Sequence, residues 1–181
     1  MAILRYIEQH DAYVLSKANR IYVFRDANNV QELEPMPNQS SVVDMMMNRT
    51  GSMLIVLLED KYLLVWDWNE LQLVAHRATP RNALALTCAK YEADKECVIV
   101  GEKTGEAVAF PLPNVTDGTA TLLQHTTSMI TDVLMSKDDQ FLITADRDEK
   151  IRVSNFPHTA SSCLREENAV VARSISGVRG R

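Results

Sequence analysis

Four histidines, three cysteines and a few paired acids are the residues of this chain best suited to chemistry. Their spacing argues against most of it. His10, His76, His125 and His158 lie far apart, with no H-E-x-x-H motif and no cysteine at ligand spacing, so no metal site is expected. Cys88, Cys97 and Cys163 are odd in number, match no metal template and read as reduced, structural thiols. The six glycines form neither G-x-G-x-x-G nor a phosphate-binding loop. No strand–helix–strand alternation marks the nucleotide-type pocket found at the strand ends of an α/β sheet. The acid pairs Asp138–Asp139 and Glu166–Glu167 fall in turn-like or tail segments, where solvated charge is the ordinary fate. Neither a catalytic centre nor a bound cofactor is expected.

The 181 residues are 46% apolar and 24% charged, the balance of a folded globular chain. A formal net charge of −5 gives no bulk attraction for phosphate backbones, so unaided nucleic-acid binding is not expected. The opening stretch MAILRYIEQHD has no apolar core of signal-peptide length. The longest apolar run, Met53–Leu58, is six residues, against roughly 20 for a membrane span. A soluble, intracellular protein with no membrane partner is expected, and the Asn-x-Ser/Thr triplets at Asn38, Asn48 and Asn114 are then chance matches.

What elements could position the remaining polar residues? A recurring strand pair answers. RIYVF (Arg20–Phe24), YLLVW (Tyr62–Trp66), EAVAF (Glu106–Phe110) and KIRVS (Lys150–Ser154) end 42, 44 and 44 residues apart. Each follows a second strand: AYVLS, MLIVLL, CVIVG and FLITA. The turns between them fall at Lys17–Asn19, Glu59–Lys61, Lys103–Gly105 and Arg147–Glu149. A third strand lies upstream in three units: VVDMMM (Val42–Met47), ALALTCA (Ala83–Ala89) and TDVLMS (Thr131–Ser136). A helix over Ser41–Asn48 is the competing reading of the methionine run. Many of these strands are apolar throughout, which suits sheets covered on both faces.

The fourth unit, His125–Phe156, reads HTTSMITDVLMSKDDQFLITADRDEKIRVSNF and resembles a WD repeat. The matching residues are His125 in the entry loop, Thr144 in the strand, Asp148 in the tight turn, then Ile151 and Val153. Such residues form a hydrogen-bonded chain that pins loop to strand. The tryptophan that usually completes it is replaced by Ser154. The second unit is complementary, with Asp60 and the Trp66–Asp67 pair but no entry-loop histidine. The spacing fits one blade of a WD propeller, about 40–45 residues. The expected fold is all-β: a partial WD-repeat β-propeller, about four blades over residues 1–158, with an irregular tail over 159–181.

Lys137–His158, and within it ADRDEKIRVS with serine where tryptophan is usual, is similar to the WD-repeat non-catalytic subunit of the tRNA (guanine-N7-)-methyltransferase. The resemblance implies a scaffold in a heterodimer with the catalytic subunit, which modifies a guanine in the tRNA variable loop. It also implies contact with tRNA mainly through that partner, no methyl donor on this chain, and a nuclear location. The partner-binding positions it implies are Lys150 and Arg152, with Asp146 and Arg147 in the adjoining turn. Arg152 suits a partner carboxylate through its planar fork. A general WD-repeat adaptor, in a ubiquitin ligase or a signalling complex, is the alternative. The family's propeller has seven blades. The sequence therefore reads as a truncated form whose pattern ends near His158, with a disordered or weakly helical end, marginal stability and weak partner binding.

Overall fold

The computed structural model describes residues 2–26, 28–33, 40–92, 95–116, 120–124 and 128–156, with backbone alone for 92 and 120–124. They form four antiparallel sheets, each a meander in chain order. Blade one holds β1 (Ala2–Ile7), β2 (Ala12–Lys17), β3 (Arg20–Asp26) and β4 (Asn29–Glu32). Blade two holds β5 (Val42–Met47), β6 (Met53–Leu58), β7 (Tyr62–Asp67) and β8 (Leu73–Ala78). Blade three holds β9 (Ala83–Glu92), β10 (Lys95–Glu102), β11 (Glu106–Leu112) and β12 (Ala120–Gln124). Blade four holds β13 (Ile130–Met135), β14 (Phe141–Asp146) and β15 (Ile151–Asn155). The first strands pack in succession, β1 beside β5, β5 beside β9 and β9 beside β13.

The period-two alternation of strands explains how the blades stack. In β6, Leu54, Val56 and Leu58 join the core toward blade one, while Ile55 and Leu57 join the core toward blade three. In β7, Leu64 and Trp66 face blade one, and Leu63 and Val65 face blade three. A run such as MLIVLL therefore has no polar side to show. The third core lies between blades three and four, where Ile99, Ala107 and Ala109 meet Ile130, Val133, Met135 and Leu142. There the backbone of Gly101 lies directly against side chains of β13. A Cβ added at Gly101 would stand 2.5 Å from Ile130 Cγ2 and 2.9 Å from Val133 Cγ1, so only glycine fits this strand position.

The repeat is also visible in the hydrogen bonds. Glu59, Lys103 and Arg147 donate their N–H groups to Ser41, Asn82 and Met129 carbonyls at 3.0, 2.7 and 2.9 Å, tying each tight turn to its blade's entry. Lys61, Gly105 and Glu149 close those turns onto Leu58, Glu102 and Asp146, with φ of +72°, +89° and +64°. Both triplets recur every 44 residues, the interval read from the strand ends.

The methionine run is strand β5, not a helix. The sequence reading placed the second and third strands of every blade and the innermost strand of blades two to four. It missed β1 and the outer strands β4, β8 and β12. In β4 every residue is exposed, and β8 alternates half-buried with exposed side chains. They bury too little for a core pattern to mark them. The expected tail at 159–181 and the boundary at His158 lie outside the described residues. No helix among the described residues is long and apolar enough to cross a membrane.

Candidate partner-binding site

The site expected from sequence is the turn between β14 and β15 and the strand that follows. Asp146 ends β14 and is buried. Its Oδ1 accepts the N–H groups of Asp148, at 2.9 Å, and Lys150, at 3.1 Å. Its own N–H donates to the Lys150 carbonyl at 3.0 Å. A carboxylate accepting two backbone N–H groups fixes the turn without covering it. Arg147, Asp148, Glu149 and Lys150 are all exposed on this rigid hairpin. Arg147 Nε lies 3.7 Å from Asp148 Oδ1, a solvated pair of little energetic weight that leaves both groups available.

Asp146, expected at the partner surface, holds the turn from inside, and the turn-pinning role expected of Asp148 falls to it. Asp148 points outward, its side chain 47% exposed. Thr144, one rung along β14, is fully buried. His125 lies outside the described residues. In blade three Glu102 occupies the place of Asp146. It accepts the Arg81 N–H at 3.1 Å and the Thr104 hydroxyl at 3.4 Å, and burial pushes its carboxyl above the usual range.

Arg152 pairs with Thr144 across the sheet and is half-buried, on the face turned toward blade three. Its neighbours Ile151 and Val153 project from the opposite, open face. The structure thus gathers Arg147 and Lys150 on one exposed turn and sets Arg152 apart from them. In blade two, Trp66 is buried against blade one, with no partner for Nε1 among the described residues. Asp60 is exposed in the turn, its backbone N–H donating to Ser40 Oγ at 3.1 Å, and makes no link to Trp66. The turn after Trp66 is held instead by Asp67, whose Oδ1 accepts the Asn69 and Glu70 N–H groups.

Several polar ties between blades escaped sequence reading, three of them centred on Asp44, Thr87 and Arg49. Asp44 Oδ1 takes the Arg5 guanidinium at 2.9 Å and its own neighbour's N–H, while Oδ2 takes the Leu86 N–H at 3.1 Å; blades one, two and three meet at one carboxylate. Thr87 Oγ1 accepts the Met135 N–H at 3.2 Å, joining blades three and four. Arg49 donates to Asp139 Oδ1, at 2.8 Å, and to the Ser136 carbonyl, at 2.7 Å, joining blades two and four. A signal existed for the first: V-V-D and I-T-D place Asp44 and Asp132 two periods apart in equivalent strands. The starts of the four innermost strands line a polar cavity of about 370 Å³ that includes Arg5, Asp44, Thr131 and Asp132. Among the described residues no cluster of His, Cys, Asp and Glu could hold a metal ion.

Four-stranded meanders stacked through their faces, with innermost strands side by side, define part of a WD-type β-propeller. A chain of the crystal structure of the mitotic checkpoint complex shares this fold, with a TM-score of 0.72 over 84% of this chain and 47% of that one, at 15% identity. Residues 117–160 match the model of the tRNA methyltransferase TRM82 WD40 domain. The tRNA (guanine-N(7)-)-methyltransferase non-catalytic subunit WDR4 of Bos taurus is 34% identical over 141 residues, 76% of this chain and 33% of that protein. The human protein of that name is 36% identical over 120 residues, 65% and 28% of the two chains. The non-catalytic subunit wuho of Drosophila pseudoobscura pseudoobscura is 40% identical over 88 residues, 49% and 21%. The chain is thus a WD-repeat relative of these non-catalytic subunits, and it spans about a third of their length or less.

Proposed function

We propose that this chain is a non-catalytic scaffold that binds and stabilises the catalytic subunit of a tRNA (guanine-N7-)-methyltransferase. In this reading it supports N7-methylguanosine formation in the tRNA variable loop and meets tRNA mainly through its partner. The unit that does this is the run of blades over residues 1–158, and it works in the nucleus. The observation that carries the reading is the likeness to relatives named as non-catalytic subunits, running through 141 residues. Geometry adds a rigid, solvent-facing hairpin bearing Arg147 and Lys150, held by a buried Asp146. Preorganised cations suit an acidic partner surface, because little conformational freedom is lost on docking.

The test is co-purification. This chain is co-expressed with a tagged catalytic subunit from the same organism, and N7-methylation of bulk tRNA is measured. Retention of the chain and raised methylation are expected. The double charge reversal Arg147→Glu with Lys150→Glu should weaken capture at least tenfold while thermal stability is unchanged, since both side chains are exposed. Intact capture by that variant would remove the turn from the interface. No capture of the parent chain would overturn the scaffold reading.

A further inference from the structure

The turn that carries Arg147 has a counterpart one blade away. Glu102 and Asp146 stand 44 residues apart, and each is a buried acid that ends the second strand of its blade. The residue after each is an exposed cation, Lys103 in blade three and Arg147 in blade four. Both donate their N–H groups to the blade's entry segment, Lys103 to the Asn82 carbonyl at 2.7 Å and Arg147 to the Met129 carbonyl at 2.9 Å, so the two turns leave their sheets in one geometry. Glu102 also accepts the Arg81 N–H at 3.1 Å, which seats Arg81, a second exposed cation, on the blade-three turn.

Arg152 lies between these turns. It is half-buried on the face of blade four turned toward blade three. Arg81, Lys103 and Arg152 make no ion pair among the described residues. Packed sheets stand about 10 Å apart, so Arg81, Lys103, Arg152, Arg147 and Lys150 gather along a single seam. They outnumber the exposed acids of the two turns, Asp148 and Glu149. In blade two the position of Lys103 and Arg147 is held by Glu59, with Asp60 beside it, both exposed, and there the cationic run ends.

We propose that the catalytic subunit straddles this seam, its acidic surface meeting Arg81 and Lys103 on blade three and Arg147 and Lys150 on blade four, with Arg152 reached between them. This footprint rests on the scaffold reading and extends it from one turn to two blades. It gives Arg152, which stands apart from the blade-four turn, a place in the same contact. A chain of net charge −5 that gathers uncompensated cations in one place holds them for an opposite charge. Carboxylates of a protein suit the seam better than a phosphate backbone does. Glu59, Asp60, Asp148 and Glu149 interrupt the cations, which a continuous polyanion would have to cross and which discrete acidic groups can avoid.

The experiment is capture of the chain by a tagged catalytic subunit from the same organism, after ribonuclease treatment and over a series of salt concentrations. Arg81→Glu with Lys103→Glu should lower capture by at least about fivefold and flatten its dependence on salt. Lys17→Glu with Lys137→Glu makes the same change in net charge, in blade one and at the opposite end of blade four, and should be captured like the parent. Circular dichroism checks that each variant folds; should the blade-three pair fail, Arg81→Gln with Lys103→Gln repeats the test with a smaller loss in the same direction. Undiminished capture of the blade-three variant, with the parent captured, would overturn the footprint and leave the scaffold reading standing. Equal losses in the two charge-reversed pairs would overturn it as well, since net charge alone would then be at work. So would a loss that appears only when tRNA is left in, which would turn these cations toward nucleic acid. No capture of the parent would remove the scaffold reading and the footprint with it.

Discussion

Cys88 and Cys97 lie on the adjacent strands β9 and β10, opposite Val98 and Ala89, and are buried on opposite faces of blade three. Burial pushes the Cys97 thiol up to about 12 and the Cys88 thiol well above its ordinary value of 9.0, with nearby acids adding to both. These are packing residues, as their number and spacing suggested. In a Cys163→Ser background neither should react with iodoacetamide at pH 8 until urea unfolds the chain, since a thiol near 12 is about 0.01% ionised there. The sign of the pH effect follows. The unfolded thiols ionise above about 9 while the folded ones keep their protons, so stability is full below that pH and falls as pH rises toward 12. For Cys97 the loss at pH 10 is about 1.4 kcal/mol. Urea titrations at pH 8 and pH 10 should show a smaller drop in a Cys97→Ala variant than in its parent; equal drops would place the linkage elsewhere. At this scale the sequence was legible by residue type but not always by role. The motif marked Asp148 for the turn, yet Asp146 reaches its amides, because pinning depends on which side of the strand a carboxylate leaves.

The tight turn is the element that recurs most faithfully, and it holds one residue in the left-handed region in each of blades two, three and four. Only blade three supplies glycine there, at Gly105. Lys61 and Glu149 carry the cost of a side chain in that region, about 1–2 kcal/mol. Glycine also loses more freedom on folding, so the net gain from replacement is smaller, about 0.5–1 kcal/mol. Glu149→Gly and Lys61→Gly should each raise the midpoint of thermal unfolding by a few degrees. Glu149→Ala, which keeps the Cβ, should not. A fall in stability with glycine would mean that the charged side chains contribute more to these turns than their exposure suggests. The sequence made such turns legible because polar residues interrupt apolar strands at a constant interval. It hid the outer strands for the complementary reason: β4 and β8 bury too little for their pattern to stand out.

Stacked repeats ordinarily touch only their neighbours, so their stability is close to a sum of nearest-neighbour terms. Arg49 breaks that rule by reaching from the β5–β6 turn of blade two to Asp139 and the Ser136 carbonyl in blade four, past blade three. Its side chain is 28% exposed and that of Asp139 is 16%, so solvent screens the pair only in part. No periodicity could reveal it, because it joins residues 90 positions apart in turns whose chemistry differs from blade to blade. Arg49→Met keeps the stem and removes the fork, leaving Asp139 and a carbonyl without their donor. The expected loss is about 2 kcal/mol, the scale of hydrogen bonds to charged groups. Asp139→Asn keeps an acceptor and tolerates the turn's φ of +55°, so it should cost less. The double variant should fall short of the sum by about 1 kcal/mol, since both changes remove one interaction. A second signature belongs to the molecule as a whole. Without the bridge, blade four is tied to the rest through blade three alone, so urea unfolding of Arg49→Met should broaden and its m-value fall. Strict additivity, with an unchanged m-value, would reduce the bridge to a surface ion pair and leave blade four coupled to the rest through blade three alone.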